Sequence, residues 1–201
     1  MQYMPLFVDM HQRHVLIVGG GEVALRKARQ FSEAGAYIKV IAPEIKPEFS
    51  ELPKVSLIKR KVGKEDVSRE YFAVVIATND QETNKSLSKI CRKNSIIADR
   101  CDDHSKSDFV TGSIAVCGTI INSTISGGIP SLSRFINLEV KKLFTQELEE
   151  LNRLLQELRP AIIASSNVNK KFLKNIVNQE TLKRIKTEGI NSLKEEITAC
   201  L

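Results

Sequence analysis

Apolar and polar positions follow two successive patterns along this chain. Val15–Gly19 is a short, largely β-branched apolar run, the length of one strand buried on both faces. Gly19–Gly21 ends it. Over Glu22–Ala34, small and apolar residues recur at Val23, Ala24, Ala28, Phe31 and Ala34, the stripe of a helix, and Gly35 supplies a stop. Tyr37–Ala42 predicts a second strand and Val55–Val62 a third, with alternating character. Phe72–Thr78 is apolar on both faces, as parallel strands between helix layers are. Gln81–Asn94 predicts a helix with Leu87, Ile90 and Cys91 inward, and Ile96–Arg100 a further strand.

Strand and helix alternate through this half, which predicts an α/β fold built on a Rossmann-like parallel sheet. After Asp108 the pattern changes. Two apolar runs flank Cys117-Gly118 and predict an antiparallel hairpin. Pro130 stands where a first helical turn would begin, and Leu132, Phe135, Ile136, Val140 and Leu143 form an apolar stripe. From Gln146 onward the pattern is helical, with a break expected at Arg159-Pro160 and two amphipathic segments beyond it. The domain reading is 1–112 for the sheet, 113–145 for a hairpin and helix region, and 146–201 for a helical C-terminal domain.

Composition narrows the possibilities. No apolar stretch reaches the length of a membrane span, and the first residues lack the basic start and apolar core of a secretory signal. Cys91, Cys101, Cys117 and Cys200 form no CxxC pair, so free thiols in a cytoplasmic protein are expected. The net charge of +6 suits either a plain solvated surface or an acidic partner. Aromatic residues are only 5% and Trp is absent, which argues against base-stacking platforms and nucleic acid.

The stretch Gly19-Gly20-Gly21-Glu22-Val23-Ala24 fits G-x-G-x-x-A between a strand and a helix. Gly19 allows a sharp turn, Gly21 a close approach to a pyrophosphate, and Ala24 tight packing of helix on sheet. The phosphates would rest on the helix N-terminus. The second strand ends at Ala42-Pro43-Glu44, with Glu44 the nearest acid and no Arg for a 2′-phosphate, which favours NAD over NADP. Thr78, Asn79 and Asp80 leave a buried strand at the edge where such sheets bind ligands; they suit cofactor contact or the cap of the next helix. Asp99–Phe109 gathers four carboxylates, a His and a Cys, but matches no closed zinc pattern. It reads as a metal site, an Asx-turn loop, or a catalytic carboxylate at a strand end. Ser126-Gly127-Gly128-Ile129-Pro130 is either an anion-binding turn or a hairpin-to-helix corner.

Taken in order, "MPLFVDMHQRHVLIVGGGEVALRKARQFSEAGAYIKVIAPE", "VVIATNDQETN", "DDHSKSDF" and "STISGGIPSLSRFI" resemble the dehydrogenase module of siroheme synthases, the precorrin-2 dehydrogenase family. The similarity is dense over about residues 4–140 and looser in the helical tail. It implies NAD-dependent oxidation of precorrin-2 to sirohydrochlorin, in some members ferrous-iron insertion as well, and a homodimer with a central dimerisation region. It leaves no room for the methyltransferase module fused to some members. A polycarboxylate substrate makes the positive charge intelligible. The family's catalytic Asp falls on Asp102, and substrate contact falls on Ser126, Gly127 and Gly128. Cofactor contact falls on Gly19, Gly21, Glu22, Val23, Ala24, Pro43, Glu44, Thr78, Asn79 and Asp80. Where the family commonly reads "NVVD", this chain has Asp99-Arg100-Cys101-Asp102, and His104 stands in place of a frequent Pro, so no metal ligand is implied. Arg100 is either a partner for a substrate carboxylate or a surface residue. The rival is a non-enzymatic regulatory nucleotide-binding module of a transport system.

Overall fold

The β-branched run around Ile17 is buried on both faces because it is the central strand of a sheet. The structure, a computed structural model, describes residues 4–165 and 175–201. β1 (His14–Val18), β2 (Tyr37–Ala42), β3 (Val55–Lys59), β4 (Ala73–Ile76) and β5 (Ile97–Arg100) form one parallel sheet in the order β3-β2-β1-β4-β5. Val15 pairs with Ile38 of β2 on one side and with Ala73 of β4 on the other. The two-residue period of β1 then splits its side chains between two cores. Val15 and Ile17 join Leu25, Ala28 and Phe31 of α1 (Glu22–Glu33), whereas Leu16 and Val18 join Leu87 and Cys91 of α2 (Gln81–Lys93). Each Val, Leu, Ile or Phe among them contributes about 1.5–3 kcal/mol on burial, so the helix–sheet–helix layering is the main source of stability here. This is the Rossmann-like architecture that the alternation of strands and helices predicts.

The chain divides into two units, Met1–Thr111 and Gly112–Leu201. The first holds the sheet. The second begins with the antiparallel hairpin of β6 (Ser113–Cys117) and β7 (Ile120–Thr124), joined by Gly118-Thr119. α3 (Pro130–Lys142), α4 (Gln146–Ala164), α5 (Gln179–Glu188) and α6 (Ile190–Ala199) follow. Leu151 and Leu154 of α4 pack with Ile185 of α5 and with Leu193 and Ile197 of α6. Residues 166–174, inside the tail expected to be helical, lie outside the described residues.

Two expectations change. Pro160 does not break α4, which runs on to Ala164. Buried Leu151 and Leu154 before it and Ile162 after it hold the helix on one line, and only its last turn follows the proline. The third strand stops at Lys59 rather than Val62. Both carboxylate oxygens of Asp66 accept from the Arg60 guanidinium at 2.6 Å, and Asp66 also accepts from the Gly63 N–H at 2.7 Å, which turns the chain out of the sheet. The guanidinium, ahead of the other neighbours, holds the Asp66 carboxyl below its ordinary range.

A buried ion pair joins α1 to β5. Lys27 Nζ lies 2.5 Å from Asp99 Oδ2 and also donates to Thr111 Oγ1 at 2.7 Å. Both charged side chains are almost entirely out of solvent. The four cysteines are free thiols, and no helix among the described residues is long and apolar enough to cross a membrane.

Candidate functional site

The carboxyl ends of β1, β2 and β4 border a cleft of about 780 Å³. It lies where an open α/β sheet changes winding direction, the usual place for a ligand. Gly19, Gly20 and Gly21 form one wall. Gly19 has φ +125, a region closed to L side chains, and a Cβ there would overlap the Ala77 carbonyl. Gly20 fills the free position of the G-x-G-x-x-A pattern, yet it is equally constrained, because a Cβ would strike the Glu44 carbonyl at the exit of β2. Gly21 is the N-cap of α1, no side chain caps the helix, and nothing lies within 4 Å of where its Cβ would stand. The first-turn N–H groups of α1 are therefore left for an outside acceptor beside open space. A dinucleotide pyrophosphate fits that cradle, and a side chain at position 21 would fill it. Ala24 is fully buried against the sheet, as the motif requires, whereas Val23 is 42% exposed on α1 and stands outside the wall.

Thr78, Asn79 and Asp80 form the wall at the exit of β4. Asp80 also caps α2: its carboxylate accepts from the N–H groups of Glu82 and Thr83 and from the Thr83 hydroxyl at 2.7 Å. That hydroxyl, more than the other donors, holds the Asp80 carboxyl below its ordinary value. The Thr78 hydroxyl donates to Asn84 Oδ1 at 2.5 Å, and Asn84 Nδ2 donates back to the Thr78 carbonyl at 3.0 Å. Asn84 is completely buried, and sequence reasoning did not single it out. A polar residue on the inner face of α2, beside Leu87 and Cys91, was the available signal.

The third wall carries Pro43 and Glu44, followed by Lys46, with Lys61 across from them after β3. Lys46 Nζ lies 2.5 Å from Glu22 Oε2. Beside Glu44 the fold brings two lysines, Lys46 and Lys61, to this wall. Lys46 stands two residues past Glu44 in the sequence. Lys61 comes near only through the register that pairs Ala42 with Lys59.

From β5 onward, each carboxylate of the acidic run has its own partner. Asp99 is buried against Lys27, with Ser107 Oγ at 3.3 Å and His104 Nδ1 at 3.7 Å from its other oxygen. Asp103 caps a short 3-10 turn, accepting from the Ser105 N–H and hydroxyl. Asp108 accepts from the Ala98 N–H at 3.0 Å and ties the loop to the strand. Asp102 receives the Arg100 guanidinium on both oxygens, at 3.1 and 2.6 Å. Arg100, foremost, and Asn84 with it keep the Asp102 carboxyl below its usual range, against the opposing effect of burial. Arg100 itself is only 7% exposed, so the surface reading of that residue is wrong. Among the described residues no three His, Cys, Asp or Glu side chains gather as a metal site would need.

The first unit thus gathers Gly19, Gly21, Pro43, Glu44, Thr78, Asn79 and Asp80 in one cleft. Asp102 stands outside that lining, linked to it through Asn84 and Thr78. Ser126, Gly127 and Gly128 belong to the second unit, in the turn before α3, where the Ser126 oxygen accepts from the Ser133 hydroxyl at 2.7 Å.

The family described as "Putative NAD(P)-binding" matches residues 6–113. A protein of Zymomonas mobilis subsp. mobilis named "Siroheme synthase" is 33% identical over 166 residues, covering 81% of this chain and 35% of the relative. "Siroheme synthase 3" of Aeromonas hydrophila subsp. hydrophila is 31% identical over 94% of this chain and 42% of its own length. The chain therefore spans well under half of these curated relatives. The solved structure titled "SirC, precorrin-2 dehydrogenase" is 27% identical, with a TM-score of 0.76 over 96% of this chain and 100% of that one.

Proposed function

The chain belongs to the NAD(P)-binding family as a module of the siroheme synthase N-terminal, precorrin-2 dehydrogenase type, and from that premise we propose that it oxidises precorrin-2 to sirohydrochlorin with NAD. The single observation that carries this reading is the glycine-walled cleft, whose Thr78 is hydrogen-bonded to Asn84, a residue that also helps lower the Asp102 carboxyl beyond β5. The balance is simple: precorrin-2 gives up one hydride and one proton, and NAD⁺ becomes NADH. Bound NAD supplies the hydride acceptor. Gly19–Gly21 and the N-terminus of α1 hold its pyrophosphate, and Thr78 and Asn79 border the same cleft. Asp102 remains ionised beside Arg100. Its charge stabilises the cation that hydride loss leaves on the macrocycle, and it takes up the released proton. Within the second unit, the turn Ser126-Gly127-Gly128 binds a carboxylate. NADH formed in step with loss of precorrin-2 supports the proposal, and precorrin-2 left unchanged with NAD present counts against it.

The cradle at position 21 gives a further expectation. Gly21→Asp places a carboxylate where the pyrophosphate belongs and should weaken NAD binding by about one to two tenfold steps, roughly 1.4–2.8 kcal/mol. Fluorescence titration of the folded variant checks it, and an unchanged affinity would remove Gly21 from the site.

Three finer elements belong to the same reading. Ferrous iron is a second substrate: its entry into sirohydrochlorin displaces pyrrole protons, with Asp102 as acceptor. A cytoplasmic location suits the free thiols. A homodimer suits the second unit, where the expected stripe on α3 points outward. Asn137 accepts from Asn122 Nδ2 at 2.8 Å and Ser133 donates to Ser126, so the polar side of α3 faces the hairpin. Phe135, Leu138 and Val116 are each more than half exposed, an apolar face of the kind that marks association. Phe135→Asp should yield monomers at concentrations where the parent sediments as a dimer; a parent that sediments as a monomer refutes the dimer. The regulatory-module alternative is favoured by none of these observations.

A further inference from the structure

We propose that Lys46 is a cofactor-binding residue, its ammonium shared between Glu22 and the pyrophosphate that rests on α1. This rests on the reading of the glycine cleft as the NAD site. Three features carry the proposal. The first is placement. Lys46 lines the cleft, and its backbone N–H donates to the Gly20 carbonyl at 3.1 Å, so the residue is fastened to the glycine wall itself.

The second is the charge at the mouth of α1. Glu22 is the first residue of the helix, directly after Gly21, and its carboxylate would repel an anion on the first-turn N–H groups. Lys46 draws that carboxylate aside at 2.5 Å and neutralises it.

The third is that stability does not account for the pair. Glu22 and Lys46 side chains are 71% and 42% exposed, and pairs of this kind add little to folding. An ammonium offers three donors and can serve a carboxylate and a phosphate oxygen together. Glu48 and Arg29 are the other charged groups felt by Lys46, and their signs oppose each other.

The alternative role for Lys46 is merely to cancel Glu22, and a double-variant cycle separates the two. NAD affinity is measured calorimetrically for the parent, Lys46→Met, Glu22→Gln and the double variant. Direct contact predicts a loss of about tenfold for Lys46→Met and a similar loss when the same change is made in Glu22→Gln. If Lys46→Met costs nothing in the Glu22→Gln background, the lysine only cancels a charge and the proposal fails. If Lys46→Met weakens NADP but leaves NAD unchanged, the ammonium serves the ribose side and the proposal also fails. A folded parent that binds no NAD overturns instead the reading of the cleft on which the proposal rests.

Discussion

Asp102→Asn should lower the rate of precorrin-2 oxidation by about 10²–10⁴ while leaving NAD affinity within twofold of the parent. The substitution keeps the shape and removes the charge. Asp102 does not line the cofactor cleft, so binding survives; its link to Thr78 passes through the side chain of Asn84. It is also not interchangeable with its neighbours. Asp103 is committed to the Ser105 cap and Asp108 to the Ala98 N–H, so Asp103→Asn should keep most activity. The sign of the pH dependence follows from Arg100. A carboxyl held below its ordinary range stays ionised as pH falls, so the parent should retain activity well into mildly acid conditions. Arg100→Leu removes the largest cause of that lowering, and the acid limb of the rate profile should move to higher pH. Steady-state rates from acid to neutral pH, with NAD titrations alongside, check both statements. Asp102→Asn at the parent rate would remove this residue from the mechanism, and an unmoved acid limb in Arg100→Leu would detach the limb from Asp102.

Lys27→Met should destabilise the sheet-bearing unit by about 3–5 kcal/mol, a large part of the 5–15 kcal/mol that folded proteins typically have. The pair with Asp99 is worth little against an apolar pair of the same volume, since taking two charges out of water offsets their attraction. Breaking it is another matter. Asp99 has no solvent exposure, and without Lys27 its remaining neighbours are Ser107 at 3.3 Å and His104 at 3.7 Å. Lys27→Met also removes the donor to Thr111, the last residue of this unit. The double variant Lys27→Met/Asp99→Asn removes both charges of this pair and should recover most of the loss. Urea unfolding of parent, single and double variants at neutral pH measures it. A single variant within about 1 kcal/mol of the parent would show that water reaches the pair.

Local chemistry made the sheet legible. Val15–Gly19 and Phe72–Thr78 read as buried strands because they are apolar on both faces, and both are central. The glycine wall was legible because strand, turn and helix adjoin in the sequence. What escaped depends on contacts between distant residues. Gly20 is constrained by Glu44, Lys61 reaches the cleft through β3, and Asn84 matters because it is bonded to Thr78 and helps lower the Asp102 carboxyl. Arg100 was ambiguous because its partner, two residues away, is chosen by the bend after β5. Pro160 reads as a break on residue type alone, whereas buried leucines on the same helix decide the outcome. On α3 the apolar stripe was found, but its direction was not, since Ser133 and Asn137 turn the polar side to the hairpin.

The central claim is that the glycine cleft serves the oxidation of precorrin-2. Its most direct test is anaerobic absorption spectroscopy of precorrin-2 with NAD⁺, for the parent and Gly21→Asp side by side. The parent should convert precorrin-2 to sirohydrochlorin with one NADH per molecule. Gly21→Asp should do so only at much higher NAD⁺. A parent that leaves precorrin-2 unchanged, or a variant that matches it at every NAD⁺ concentration, would contradict the account.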